Sequence, residues 1–125
     1  MLAGCQDAPR PASGTRIFHQ DVIGGSKVCT APAISSPAPG KEIPATIAMN
    51  NDGGWCGVPV DNNGRAFSAG LLITRPAHGR AYIHSVGDTT RLDYFPSAGF
   101  NGTDTFAVRL LPGEPLVKVS VTVTK

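Results

Sequence analysis

In the closing stretch LVKVSVTVTK, Val117, Val119, Val121 and Val123 alternate with Lys118, Ser120, Thr122 and Thr124. A period of two puts the valines on one side of an extended chain, whereas a helix would spread them around its circumference. The segment predicts a strand with one buried and one wet face. The same period places Ile43, Ala45, Ile47 and Met49 together, and Phe106, Val108 and Leu110 within residues 105–111. Pro44 has no amide to give a ladder, so the start of its strand belongs at an edge or a bulge. Further strands are expected over residues 16–23, 80–86 (RAYIHSV) and 91–95, with a short extended piece at 27–34 (KVCTAPAI). Residues 71–73, all apolar, read as a buried strand. Residues 50–67, NNDGGWCGVPVDNNGRAF, are irregular and rich in Asn, Asp and Gly, and read as one long loop.

Between the strands stand turn signals: Gly24-Gly25, SSPAPG, RPAHG, GDTT and PGEP. In FPSAGFNGTDTF, Gly99 and Gly102 can take positive φ, and Asn101-Gly102 is a favoured tight-turn pair. Asp104 is expected to accept hydrogen bonds from this corner's own amides, and Phe100 to tuck beneath it. About seven short strands with turn signals roughly every 8–12 residues predict an all-β sandwich or barrel.

The chain has 125 residues, room for one domain with one core. Its 15 Gly and 11 Pro fit a turn-rich fold. The formal net charge is +2, with the basic residues scattered singly, so no nucleic-acid partner is expected. No apolar run approaches the roughly 20 residues that cross a bilayer as a helix. His19, His78 and His84 have no third ligand at a metal-binding spacing. Calcium takes about six to eight oxygen ligands, and the candidates in the polar loop, Asn50, Asn51, Asp52, Asp61, Asn62 and Asn63, include only two carboxylates. No metal or cofactor is therefore expected. No nucleophile elbow or paired-cysteine redox motif is present, so the chain does not read as an enzyme.

Three cysteines are an odd number. MLAGC resembles the lipobox of bacterial lipoproteins, which implies a lipid on Cys5, followed by a flexible tether over residues 6–15 (QDAPRPASGT). With Cys5 so taken, Cys29 and Cys56 are left as a pair in an oxidising compartment, the alternative being two buried thiols. A bridge would close a loop of about 27 residues and stabilise the fold by roughly 3–4 kcal/mol.

Residues 75–83 (RPAHGRAYI) and 92–110 (LDYFPSAGFNGTDTFAVRL), with the valine strand after them, resemble a bacterial cadherin-like, immunoglobulin-like repeat. In such repeats a Pro-Ala-His-Gly corner opens a hairpin, a Tyr and a Pro end the returning strand, and a Gly-Phe-x-Gly-x-Asp corner leads to an aromatic. The matching positions are Pro76, Gly79, Tyr94, Pro96, Gly99, Phe100, Gly102, Asp104 and Phe106. The resemblance runs from about Gly40 onward and implies an antiparallel β-sandwich of about seven strands; the sandwich domain is expected over residues 16–125, after the lipobox and tether of residues 1–15. Here there is one unit rather than an array, and its loop carries Trp55 and Cys56. Trp55 is expected to pack over the bridge, as aromatics do in immunoglobulin-type cores, or to serve as an anchor for a partner if it faces outward.

The expected function is a non-catalytic binding or structural module, exported to the bacterial cell envelope and held to the outer membrane only by its lipid. It would face the periplasm or the cell surface and contact another envelope protein or a surface polymer. Residues 50–67 are the candidate binding loop, with Asn50, Asn51, Asp52, Trp55, Asp61 and Asn62 as its contacts. Alternatives are a carbohydrate-binding module, a calcium-binding adhesion-type domain, or a partner that lends an edge strand from 17–23 or 43–49.

Overall fold

A computed structural model describes residues 23–125. Cys5, the tether and all but the last residue of the strand expected over 16–23 lie outside these residues. The described chain forms β1 (Cys29–Thr30), β2 (Ile34–Ser35), β3 (Glu42–Asn50), β4 (Cys56–Asp61), β5 (Ala69–Thr74), β6 (Gly79–Val86), β7 (Thr89–Pro96), β8 (Gly102–Leu111) and β9 (Leu116–Thr124). They build two sheets, one of five strands in the order β1-β3-β9-β8-β5 and one of four in the order β2-β4-β7-β6.

The sheets pack face to face through the residues that period-two patterning selects. Ile47, Met49, Phe106, Val119 and Val121 come from the larger sheet, and Val58, Leu92 and Tyr94 from the smaller. The Tyr94 and Phe106 rings lie 6.0 Å apart across this interior. Burying each such side chain stabilises the fold by about 1.5–3 kcal/mol.

Several expectations need correction. The sheets are mixed rather than antiparallel, since β3 runs parallel to β9 from Glu42↔Leu116 to Asn50↔Thr124 and β2 runs parallel to β4. The β3–β9 register sets Ala45, Ile47 and Met49 beside Val119, Val121 and Val123, so two apolar stripes far apart in sequence share one layer. Pro44 sits where β3 has β9 on one side and, among the described residues, no strand on the other, an edge position suited to a residue without an amide hydrogen.

The expected loop over 50–67 contains a central strand. In β4, Cys56, Val58 and Val60 are fully buried, while Gly57, Pro59 and Asp61 point the other way. Conversely, 71–73 is not a buried strand. It belongs to β5, at the edge of the larger sheet, where Leu71 and Ile73 are 49% and 53% exposed and Leu72 meets the core.

Cys29 and Cys56 form a disulfide, with Cα atoms 5.4 Å apart. It joins β1 of one sheet to β4 of the other, a covalent staple across the sandwich.

Candidate functional site

The residues of the anticipated binding loop do not converge. Asn50, Asn51, Asp52 and Trp55 precede β4, whereas Asp61 and Asn62 lie at its far end. Their polar atoms are turned to local structure. Asn50 Oδ1 accepts the Thr124 hydroxyl, and Asn51 Nδ2 donates to the carbonyls of Ser97 and Phe100 at 2.8 and 2.9 Å. Asp52 accepts the amides of Lys27 and Gly54; the Lys27 amide above all holds its carboxyl below the usual range. Asp61 accepts the Gly64 amide at 2.6 Å, and the Asn62 amide closes a turn onto the Arg65 carbonyl. Among the described residues, no three His, Cys, Asp or Glu side chains gather at one point.

The two corners join each other. Asp104 Oδ1 accepts the Ala77 amide at 2.9 Å and the amide of Thr105, while Oδ2 accepts the His78 amide and the Tyr94 hydroxyl, both at 2.8 Å. Only the Thr105 bond is local, so Asp104 ties the Pro76–Gly79 turn and β7 to the start of β8 rather than closing its own corner. Burial works to raise the Asp104 carboxyl, but the amides of Ala77 and His78, the Tyr94 hydroxyl and the Thr105 amide outweigh it and hold the carboxyl below its ordinary value. Burial, reinforced by Asp104, pushes the Tyr94 hydroxyl well above its ordinary value. Phe100 packs against the core beside the corner: a Cβ at Gly102 would stand 3.3 Å from its ring, and His78 stacks on it at 4.4 Å. Gly99, with φ of 79°, sits in the turn that the Phe100 amide closes onto the Ser97 carbonyl, whereas Gly102, with φ of 139°, opens β8, so the chain does not reverse at the expected Asn101-Gly102 pair.

A second constellation, on the outer face of the four-stranded sheet, was not anticipated. Cross-strand register sets Gly57 of β4 beside Asp93 of β7 and Tyr82 of β6, with Pro59, Arg91 and His84 in the next row. Asp93, 2% exposed, accepts Arg91 Nε at 2.7 Å on Oδ1 and Arg91 Nη2 at 3.1 Å on Oδ2. His84 Nε2 lies 2.7 Å from Oδ2. A carboxylate in this place only accepts, so Nε2 carries the proton. Arg91, 8% exposed, runs over Gly57 and lays its guanidinium 3.9 Å from the centre of the Trp55 ring. A Cβ at position 57 would collide with Asp93 Oδ1 and come within 3.0 Å of Arg91 Cγ, so this glycine makes room for the ion pair.

Trp55 is thus not packed over the disulfide and is not part of the core. Its ring is bounded by Arg91 and Gly25, its Nε1 donates to the Ile23 carbonyl at 3.0 Å, and its backbone bonds Gly24 and Ser26. It fastens residues 23–26 to the sheet. Around this satisfied centre two groups point to solvent. Tyr82, half exposed, stacks one face on His84 at 4.3 Å. Arg80, also exposed, rests 4.3 Å above the Phe95 ring. Beside them lies a cleft of about 380 Å³ lined by Gly53, Gly54, Gly79, Arg80, Phe95, Pro96 and Ser97.

The legible sign was the pair Arg91 and Asp93 at alternate positions of a strand, with a glycine and a proline in the strand read as loop. What stayed hidden was the register that brings Gly57 opposite Asp93. The other sheet's outer face differs: Thr46, Lys118, Ser120 and Thr122 stand exposed, with one loose ion pair between Lys118 and Glu42 at 3.8 Å. No protein-family model matches this chain, and no curated protein resembles it at a significant level.

Proposed function

We propose that this protein is a non-catalytic binding or structural module of the bacterial cell envelope, with an immunoglobulin-like, cadherin-like sandwich held to the outer membrane by a lipid on Cys5. Its contacts with an envelope protein or a surface polymer run through the outer face of the four-stranded sheet. The observation that carries this reading is the contrast between the two outer faces. Along β3 and β9 one presents hydroxyls and Lys118, with Leu71 and Ile73 exposed at its β5 edge. The other carries two Arg–aromatic pairs, one of them held by the buried Asp93, next to an open cleft, and such preorganised arginines and aromatics are what recognition surfaces concentrate.

Topology supports the fold-family part of the reading. Grouping β4, β7 and β6 in one sheet and β5, β8 and β9 in the other gives the B-E-D and C-F-G partition of the immunoglobulin sandwich, with β3 as a first strand added alongside the last. The disulfide departs from that pattern, since it runs from β1 to β4 rather than between the second and sixth strands of the sandwich. The envelope address rests on MLAGC and on a disulfide that needs an oxidising compartment.

A photo-crosslinking amino acid at position 82 or at position 122, in cells making the full chain, tests the contact face. Adducts are expected from 82 and not from 122; adducts from 122 alone would sink the assignment. Cys5→Ser is expected to move the protein from the membrane fraction to the soluble one, and an unchanged distribution would remove the lipid anchor.

A further inference from the structure

The geometry points to a binding site for a carboxylate-bearing polysaccharide, of the uronic-acid type, on the cleft at Arg80 and the neighbouring ring of Tyr82. This rests on the outer-face reading above and names its ligand class.

Arg80 is exposed and has no carboxylate partner among the described residues. Its guanidinium is nevertheless positioned, with its central carbon over the Phe95 ring at 4.3 Å from the ring centre. A stacked guanidinium keeps its in-plane N–H donors free, and that fork matches a carboxylate in two parallel charge-assisted hydrogen bonds. Asp93 cannot take this role from within the protein, since both its oxygens are already held by Arg91 and His84. The facing wall is Gly53 and Gly54, and a Cβ at Gly53 would meet nothing within 4 Å. The wall offers backbone and open space rather than side chains. At about 380 Å³ the cleft falls within the roughly 300–1,000 Å³ of small-ligand sites.

Tyr82 lies two residues along β6 from Arg80 and points to the same face, about 7 Å away at strand spacing. His84 backs one side of its ring, and half of the residue is open to water. An amphipathic ring supported from behind is a platform for the C–H face of a pyranose. A carboxylate clamp and a stacking ring this far apart fit successive residues of an acidic sugar chain. An acidic peptide fits less well: the Phe95 face is already covered by Arg80, so the cleft has no apolar pocket for a side chain next to the carboxylate.

Isothermal titration of the disulfide-intact full chain tests the site, with tetragalacturonate as the probe, its methyl ester as the neutral control and a tetraglutamate peptide as the acidic-peptide control. Tetragalacturonate is expected to bind saturably, with the ester and the peptide each weaker by about tenfold or more. Arg80→Lys keeps the charge but loses the fork and should weaken the probe several-fold; Tyr82→Ala should weaken it by about fivefold. Melting curves of both exposed-site variants are expected to match the parent. No binding of the probe, equal binding of the peptide, or an Arg80→Lys variant that binds as well as the parent would overturn the assignment. Crosslinks from position 82 in a protein that ignores the probe would discard the acidic sugar and keep the contact face. Failure of both experiments would discard the face as well.

Discussion

On the outer face of the five-stranded sheet, Thr46, Lys118, Ser120 and Thr122 alternate with core residues and stand in water. On the four-stranded sheet the equivalent positions of β7 hold Arg91 and Asp93, and both are buried. The first face costs little and is held by little. The second takes two charges out of water and is stable only because the Arg91–Asp93 pair is bidentate, His84 fills a remaining lone pair, and Trp55 covers the guanidinium. A strand buried on both sides thus looks charged in sequence when its charges satisfy each other.

The sharpest way to break this contrast is Asp93→Ala, which leaves Arg91 buried without its partner. It is expected to cost about 3–5 kcal/mol in urea unfolding. Gly57→Ala should act in the same direction from the opposite strand, because its Cβ must displace the Asp93 carboxylate. If both variants unfold like the parent, the outer cluster is a loose surface feature after all. Replacing Cys29 and Cys56 by Ser is expected to cost about 3–4 kcal/mol. It should leave the far-ultraviolet strand signature intact, since the staple crosses the sheets and does not define either one.

The Tyr94–Asp104 pair, between β7 and β8, supplies a pH-dependent test. Asp104 has its carboxyl held low in the folded protein, so its contribution to stability is present above the ordinary value of 3.8 and is lost as the pH falls below it. Tyr94 has its hydroxyl pushed up, so its contribution is present below the ordinary value of 10.0 and is lost as the pH rises above it. Melting temperature should therefore fall at both extremes. Asp104→Asn should flatten the acid limb and Tyr94→Phe the alkaline one; limbs that survive these changes would assign the pH dependence to other groups. The smallest effect is expected from Lys118→Ala on the plain face, below about 0.5 kcal/mol, because its partner Glu42 is exposed and 3.8 Å away. A larger loss there would erase the contrast between the faces.

Legibility followed solvent contact. The stripe of Val117, Val119, Val121 and Val123 could be read because its other face is wet, and so could those of β3 and β8. β4 was hidden because its outward positions hold Gly57 and Pro59, residues that ordinarily announce turns, although one is there to admit an ion pair. The run 71–73 misled in the opposite sense: three apolar residues in succession meet the core only through Leu72, because Leu71 and Ile73 fall on the outer face of the sheet. The disulfide was accessible to counting cysteines. The place of Trp55 was not, since its contacts come from Arg91, Gly25 and Ile23, all distant from it in sequence.

By itself the amino-acid order determined that this chain is all-β, where most of its strands and corners fall, and which residues of β3, β8 and β9 face the interior. Those properties depend on alternation and on backbone freedom within a few residues. Tertiary structure alone decided that β3 lies parallel to β9, that Asp104 serves the opposite corner, and that Arg91, Asp93 and His84 meet beneath Tyr82. Each depends on which strands become neighbours and in what register, and that is set by closing one shared core rather than by any local stretch of chain.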